Sequence, residues 1–421
     1  MHLRNHIEVW KALRSKAPIS LSELTNLVPL SRVTISTIIK EMLQQGLVQS
    51  MGFADSTGGR PSALLSYVPT ARLAVGVTMF DNEIISVLAD LDGQAVKFHR
   101  RAWQGTSPES LLTAMAAAVQ DLIIDVDRRR LLGVGVGLPG LIDVPSGRLL
   151  LCISMGWLGK PVEARHILEQ ALDLPVFIAN RSRMAALGEL QTGVGRGLDS
   201  LLYMYLGKGV VAGIALADGI YFGASSSAGE IGHTTVVPDG PLCSCGNRGC
   251  LELYTSESSI VARAIAKARE EPQSTLRKET HGNLQALTLD TVIRCAEQGD
   301  PAAIATFADV SSYLGIALSM ALNLLNPQML VLGGPVGSRA GALLLEPTIR
   351  EIEKRTLPLT LAGTQIVTGS PDQEFAALGA ASLVLTSVPV EQFLMVGDEW
   401  SLSEADTTSW DKSATFSAKT V

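Results

Sequence analysis

The sequence predicts an α/β protein preceded by a small N-terminal unit of helices, and three observations carry that expectation. The chain has 421 residues, too many for one ordinary hydrophobic core, so two or three domains are expected. Hydrophobic residues make up 47% and aromatic residues only 5%, with 39 glycines, a composition suited to many tight strand-to-helix turns. The net charge of −7 is unevenly placed: residues 1–70 carry seven Lys and Arg against four Asp and Glu, or +3, leaving −10 on the rest. A small basic domain on an acidic body fits a nucleic-acid reader joined to a small-molecule domain.

In the N-terminal part, Leu3, Ile7, Trp10 and Leu13 recur at helical spacing and predict a first amphipathic helix. Ser20 followed by Glu23 is a capping-box start for a short second helix reaching Val28. Pro29-Leu30 makes the turn, and Ser31 N-caps a third helix in which Ile35, Ile38, Ile39, Met42 and Leu43 form one apolar stripe facing the core. The opposite face presents Val33, Ser36, Thr37, Lys40 and Gln44, with Arg32 and Thr34 near the start. Small hydroxyls and cations at that end suit phosphate and base-edge contacts in a major groove, so Arg32, Thr34, Ser36, Thr37 and Lys40 are candidate DNA contacts. Gly46 ends the helix, and 47–53 with 63–68 read as a two-stranded wing. The intervening Gly58-Gly59-Arg60-Pro61 tip can place the Arg60 guanidinium in a narrow minor groove. Residues 1–70 are therefore expected to be a winged helix-turn-helix, with 69–72 as linker.

The body contains two stretches that echo each other, 74–93 and 203–219, each reading as strand, tight loop, strand and turn. Between Gly229 and Glu252 lie His233, Cys243, Cys245 and Cys250, three of only five cysteines in the chain. Thiolates two and five residues apart, separated by glycines, can fold round one ion, and a histidine ten residues upstream completes a tetrahedral Cys3His set. Four protein ligands leave no open position, so the expected cofactor is a structural zinc. Cys152 and Cys295 are expected as small buried residues.

The run Gly229-Glu-Ile-Gly-His233 followed by Cys243-Ser-Cys-Gly-Asn-Arg-Gly-Cys250-Leu-Glu252 resembles the signature of the ROK family, which contains bacterial sugar kinases and sugar-responsive repressors. The resemblance extends from residue 1 to about 386. It implies an actin/hexokinase-like (ribonuclease H-like) body of two α/β lobes over 71–386, with a zinc loop at 233–250. Leu132 to Asp143 resembles the family's connector, Asn326 to Gly334 its nucleotide-end strand and turn, and Ala377 to Ala381 its closing helix. It further implies that Asn180, Glu230, His233 and Glu252 contact a sugar. The winged domain with its Gly-Arg-Pro tip resembles that of the family's repressors and is absent from its stand-alone kinases.

Three departures from the kinase pattern decide between the branches. The first phosphate loop, glycine-rich in the kinases, reads Thr78-Met79-Phe80-Asp81-Asn82, where bulky side chains obstruct phosphate. The second reads Gly207-Lys208-Gly209-Val210-Val211 without the usual Thr. The segment that holds the kinases' catalytic Asp reads Ala179-Asn180-Arg181-Ser182-Arg183, and a guanidinium is no general base near neutral pH. The expectation is a non-enzymatic DNA-binding repressor of carbohydrate uptake or catabolism genes; the alternative is a sugar kinase with an appended DNA-binding domain. Arg181 can accept a phosphate or carboxylate on the effector, or else turn toward Glu230 or solvent and fill the vacated space.

The expected partners are a double-stranded operator, a sugar or sugar derivative, and further copies of the chain as homodimer or homotetramer, since one short helix contacts few base pairs. The start shows no signal-peptide pattern, and the apolar runs near Leu131 and Met329 are too short to span a bilayer, so a cytoplasmic protein without membrane insertion is expected. Residues 387–421, polar with sparse apolar positions, read as a flexible tail in which Phe393 to Val396 can dock on the body.

Overall fold

The computed structural model describes residues 2–53, 63–80, 82–369 and 374–394. Arg60, with the wing tip around it, and Asp81 lie outside the described residues, as does the chain beyond 394. The N-terminal domain runs α1 (His2–Lys16), β1 (Ile19–Ser20), α2 (Leu21–Leu27), α3 (Arg32–Gln44), β2 (Val48–Phe53) and β3 (Ala63–Tyr67). The capping box forms in full: the Ser20 N–H donates to Glu23 Oε2 at 2.8 Å, and the Glu23 N–H to Ser20 Oγ at 3.3 Å. Ser31 caps α3 as expected, accepting from the Thr34 N–H. Ile35, Ile38, Ile39 and Met42 are buried against Val9, Trp10 and Leu13. Leu43 falls outside the stripe and is 41% exposed. The wing has three strands rather than two, in the order β1-β3-β2. The extended backbone of the Ser20 cap carries Ile19 and Ser20 into register with Leu65 and Leu64.

The first lobe comprises β4 (Leu73–Phe80), β5 (Glu83–Ala89), β6 (Ala95–Ala102), α4 (Pro108–Ile123), β7 (Leu131–Leu138), β8 (Leu141–Asp143), β9 (Arg148–Leu151), α5 (Ala164–Leu172), β10 (Val176–Asn180) and α6 (Arg181–Gln191). The second continues through β11 (Ser200–Leu206), β12 (Val210–Leu216), β13 (Gly219–Ile220), α7 (Glu252–Thr255), α8 (Glu257–Glu270), α9 (Thr275–Glu279), α10 (Leu289–Glu297), α11 (Pro301–Leu325), β14 (Met329–Gly333), α12 (Gly334–Arg339), α13 (Gly341–Glu353), α14 (Pro358–Ala362) and β15 (Gln365–Thr368). Helices α15 (Glu374–Ser387) and α16 (Val390–Leu394) follow. The lobe sheets have orders β6-β5-β4-β7-β10 and β13-β12-β11-β14-β15. In each, three antiparallel strands are extended by two parallel ones from the first strand, so the repeat legible in the sequence is a repeat of topology.

Helices α6 and α15 cross between the sheets, and glycines set how closely. A Cβ on Gly379 would strike the Met184 carbonyl, and one on Gly188 the Phe375 carbonyl. Gly76 and Gly135 do the same for the seat of α15 on β4 and β7, where a Cβ would meet the carbonyls of Ala377 and Ala380. The contact is thus backbone to backbone, with little slack. Helix α11 is long and apolar enough to cross a membrane by length and composition alone. Here its Phe307, Leu314, Leu318 and Leu322 are buried in the second lobe's core. Cys152 and Cys295 are buried as expected.

The joint between the N-terminal domain and the body is a shared core rather than a loose linker. Trp10, Leu13, Leu24 and Ile35 belong to the same buried cluster as Ile85, Val87, Leu91, Leu132 and Val384. Tyr67 Oη donates to Asp92 Oδ1 at 2.6 Å, Arg14 lies 3.7 Å from the same carboxylate and donates to the Leu91 carbonyl at 2.8 Å, and its guanidinium stands over the Tyr67 ring. The expectation of a flexible tail from 387 needs correction for its first residues: α16 packs on α1, with Phe393 and Leu394 buried in that cluster. Two large apolar side chains close together are what makes this short helix dock.

Candidate functional site

The zinc-type ligands sit in a loop between β13 and α7. His233 closes a single 3-10 turn, Ile231–His233, and the Cys243 N–H donates to the Asn247 carbonyl at 2.7 Å, curling the cysteine segment on itself. Gly249, at φ 66°, lies where a Cβ would strike the Val237 carbonyl, so only glycine permits that curl. The ligand atoms of His233, Cys243, Cys245 and Cys250 all lie within 4.8 Å of one another. Cys245 Sγ to Cys250 Sγ is 3.7 Å, and His233 Nδ1 to Cys243 Sγ is 3.7 Å. A tetrahedron with metal–sulfur bonds of about 2.3 Å has edges of roughly 3.8 Å, which the two 3.7 Å separations match, and the whole donor set lies within 4.8 Å. Burial, reinforced by the neighbouring thiols, pushes the Cys250 thiol up to about 12, a charge crowding that a cation relieves. With Nδ1 in the ligand set, His233 Nε2 is the ring nitrogen left for another partner.

Around the loop the expected effector residues fall into two groups. Glu230 is pushed above the usual carboxylate range by burial, against the pull of Arg183 and His233 and with the push of Glu252. These four side chains therefore share one electrostatic neighbourhood. Glu252 Oε2 accepts from the Val210 N–H at 3.0 Å, tying the end of the cysteine loop to the start of β12. Asn180, at the end of β10, caps α6 by accepting from the Ser182 N–H at 2.8 Å and donates to the Gly140 carbonyl at 2.7 Å. One amide hydrogen remains uncommitted by those bonds.

Arg181 takes neither of the two courses expected of it within the protein. It turns toward neither Glu230 nor solvent: Nη2 donates to Tyr205 Oη at 2.7 Å and Nη1 to the Met79 carbonyl at 3.2 Å, with the guanidinium 5.0 Å from the Tyr205 ring. Residues two apart on a helix point roughly opposite ways, so it is Arg183 that reaches the Glu230 side. Arg183 is 2% exposed and donates to the carbonyls of Ser226 and Ala228 at 2.6 and 3.0 Å. Sequence reasoning assigned no role to Arg183 or Tyr205; the Arg-x-Arg spacing at the head of a helix was the available signal.

Arg181 joins the two loop positions that phosphates would need. Strand β4 runs on through Met79, and Phe80 pairs with Glu83, so the first loop is a short hairpin end with Thr78 and Met79 buried. In the second, a methyl at Gly207 would lie 3.0 Å from the Tyr205 ring, and the same ring lies beside Gly334. The Arg181 guanidinium thus links β4 of the first lobe, through the Met79 carbonyl, to Tyr205 on β11 of the second.

On α3, Arg32, Ser36, Thr37 and Lys40 are exposed and Thr34 is half-buried. Two hydroxyls are already engaged: Thr34 Oγ1 is 2.8 Å from Ser31 Oγ, and Thr37 Oγ1 donates to the Val33 carbonyl at 3.0 Å.

A winged helix-turn-helix fixed to a duplicated two-lobed body, with a Cys3His loop tied to β12 of the second lobe, defines the class: a ligand-sensing type of body coupled to a DNA-binding type of head. The ROK family model matches residues 74–387, and the chain belongs to the ROK family. It is 28% identical over 390 residues to the xylose repressor of Caldicellulosiruptor bescii, covering 91% of this chain and 96% of that protein. A glucokinase of Halalkalibacterium halodurans is 35% identical over 257 residues, covering 60% of this chain and 76% of its own. The solved structure of a ROK family transcriptional regulator, a homologue of the Escherichia coli MLC protein, superposes with TM-score 0.76 at 22% identity, covering 93% of this chain and 98% of that one.

Proposed function

We propose that the chain is a sugar-responsive, DNA-binding transcriptional repressor without catalytic activity. The observation that carries this reading is the cleft: Arg181 stands where a sugar kinase needs a carboxylate base, bonded to Tyr205 and to the backbone of the would-be phosphate loop. The repressor relative matches this chain along nearly its whole length, head included, whereas the glucokinase relative spans only 60% of it. Arg32, Thr34, Ser36, Thr37 and Lys40, with Arg60 from the wing, form the DNA-contacting set. Asn180, Arg181, Glu230, His233 and Glu252 form the effector set.

The Cys3His donors hold zinc, which supplies a structural cross-link and no reaction step. Its ligands and the sugar-facing carboxylates share one segment, so the metal loop presents Glu230 and Glu252. A sugar bound there changes the contact between lobes; a phosphate or carboxylate on it competes with Tyr205 for Arg181. Because the winged domain shares its core with the first lobe, a change of lobe angle shifts the DNA-reading helices of a symmetric oligomer.

The reading is tested with duplex DNA enriched by the full-length protein from a random library. We expect specific binding with Kd of about 10⁻⁸ M, falling steeply with salt, and release by one sugar or its phosphorylated or acidic form. No phosphate should pass from ATP to that sugar. ATP-dependent sugar phosphorylation without enrichment of any DNA sequence would establish the kinase alternative instead.

A further inference from the structure

Helix α3 places Val33, Ser36, Thr37 and Lys40 at positions i, i+3, i+4 and i+7, one stripe opposite the buried Ile35, Ile38, Ile39 and Met42. Three members of that stripe are polar. Val33 is not, and at 76% exposure it has no core role. It sits in the first turn, beside Arg32 and behind the Ser31 cap, at the end of the helix that reaches furthest into a groove. The Thr34 hydroxyl is paired with the Ser31 cap and the Thr37 hydroxyl donates within the helix, so among the side chains at this end only Val33 offers an exposed aliphatic surface made wholly of hydrocarbon.

The floor of the major groove carries one apolar group, the C5-methyl of thymine. We propose that Val33 is a specificity-determining residue that reads a thymine methyl in each operator half-site, an inference that rests on the DNA-binding reading above. The side chain suits the task. A β-branched residue in a helix keeps one strongly preferred rotamer, so its methyls are presented without further ordering on binding. Arg32 next to it supplies phosphate attraction, which positions the helix but carries no sequence information. Val33 then contributes discrimination that no polar neighbour supplies: it favours thymine over cytosine, and over a thymine stripped of its methyl.

The test uses the full-length chain and the duplex it enriches from a random library, resynthesised with each thymine in turn replaced by deoxyuridine. That replacement removes the methyl and leaves the hydrogen-bonding edges intact. For the wild type, one thymine in each half-site should weaken binding about fourfold when replaced, the worth of one buried methyl. Val33→Ser should bind the thymine and uracil forms equally, and Val33→Thr, which keeps one branch methyl, should retain part of the discrimination. Equal helix content by circular dichroism shows that the variants are folded. Wild-type affinity unchanged at every deoxyuridine position overturns the inference, as does a Val33→Ser chain that keeps the fourfold difference. If no duplex is enriched at all, the DNA-binding reading fails and this inference falls with it; binding without uracil sensitivity sinks the inference alone.

Discussion

At the scale of single residues, Cys245 separates metal binding from packing, because it is exposed while Cys243 and Cys250 are buried. Cys245→Ser removes one ligand and no core contact. Zinc affinity should fall by more than the roughly 10–100-fold that loss of an outer-shell partner costs, and elemental analysis should drop from about one ion per chain to a small fraction. Undiminished zinc in the variant would refute the four-ligand set. The Cys3His donor cluster was legible in the sequence because its four side chains lie within eighteen residues, at spacings that a single closed loop can bring together. Arg181 was legible only as a departure: its partners, Met79 and Tyr205, lie on strands of two different lobes, and no local pattern says which way a guanidinium at the head of α6 will turn.

Among the elements, α11 shows how a buried charge anchors a long helix. Asp300 caps it, accepting from the Ala303 N–H at 2.9 Å, and its other oxygen accepts from the Ser274 and Thr275 hydroxyls, each at 2.9 Å. Burial alone would raise the pKa of this carboxyl; the backbone and hydroxyl donors outweigh it and hold it below the ordinary value. A depressed folded-state pKa contributes stability that is present above about pH 3.9 and lost as the pH falls through the folded value. Asp300→Asn should therefore cost about 1–3 kcal/mol at pH 7 and less at pH 3, read as urea midpoints at the two values. An equal loss at both would show that the charge is irrelevant to the cap. The caps at Ser20 and Ser31 follow from adjacent residue types and were legible in the sequence. The third wing strand was not, because two residues carry no periodicity and its pairing partners are 44 and 46 positions away.

For the whole molecule, the decisive feature is the core shared by the DNA-side head, the first lobe and the last described helix. Phe393→Ala should destabilise the protein by about 3–5 kcal/mol and weaken DNA binding, measured by thermal melting and by titration with the enriched duplex. Unchanged melting would mean that α16 contributes nothing to the joint. The sequence made the two-lobed body visible through its repeat and the head through its caps, but their union depends on apolar residues scattered from Val9 to Leu394, which no local window brings together. That union has a consequence for how an operator is read. Half-sites on one face of a duplex recur about every 34–36 Å, so in the proposed symmetric oligomer two heads held stiffly by their bodies would behave like the points of a pair of dividers. Such a device measures distance and phase. On that proposal an effector need not melt or mask either head; opening the dividers by a small angle would leave both points intact and let only one of them land.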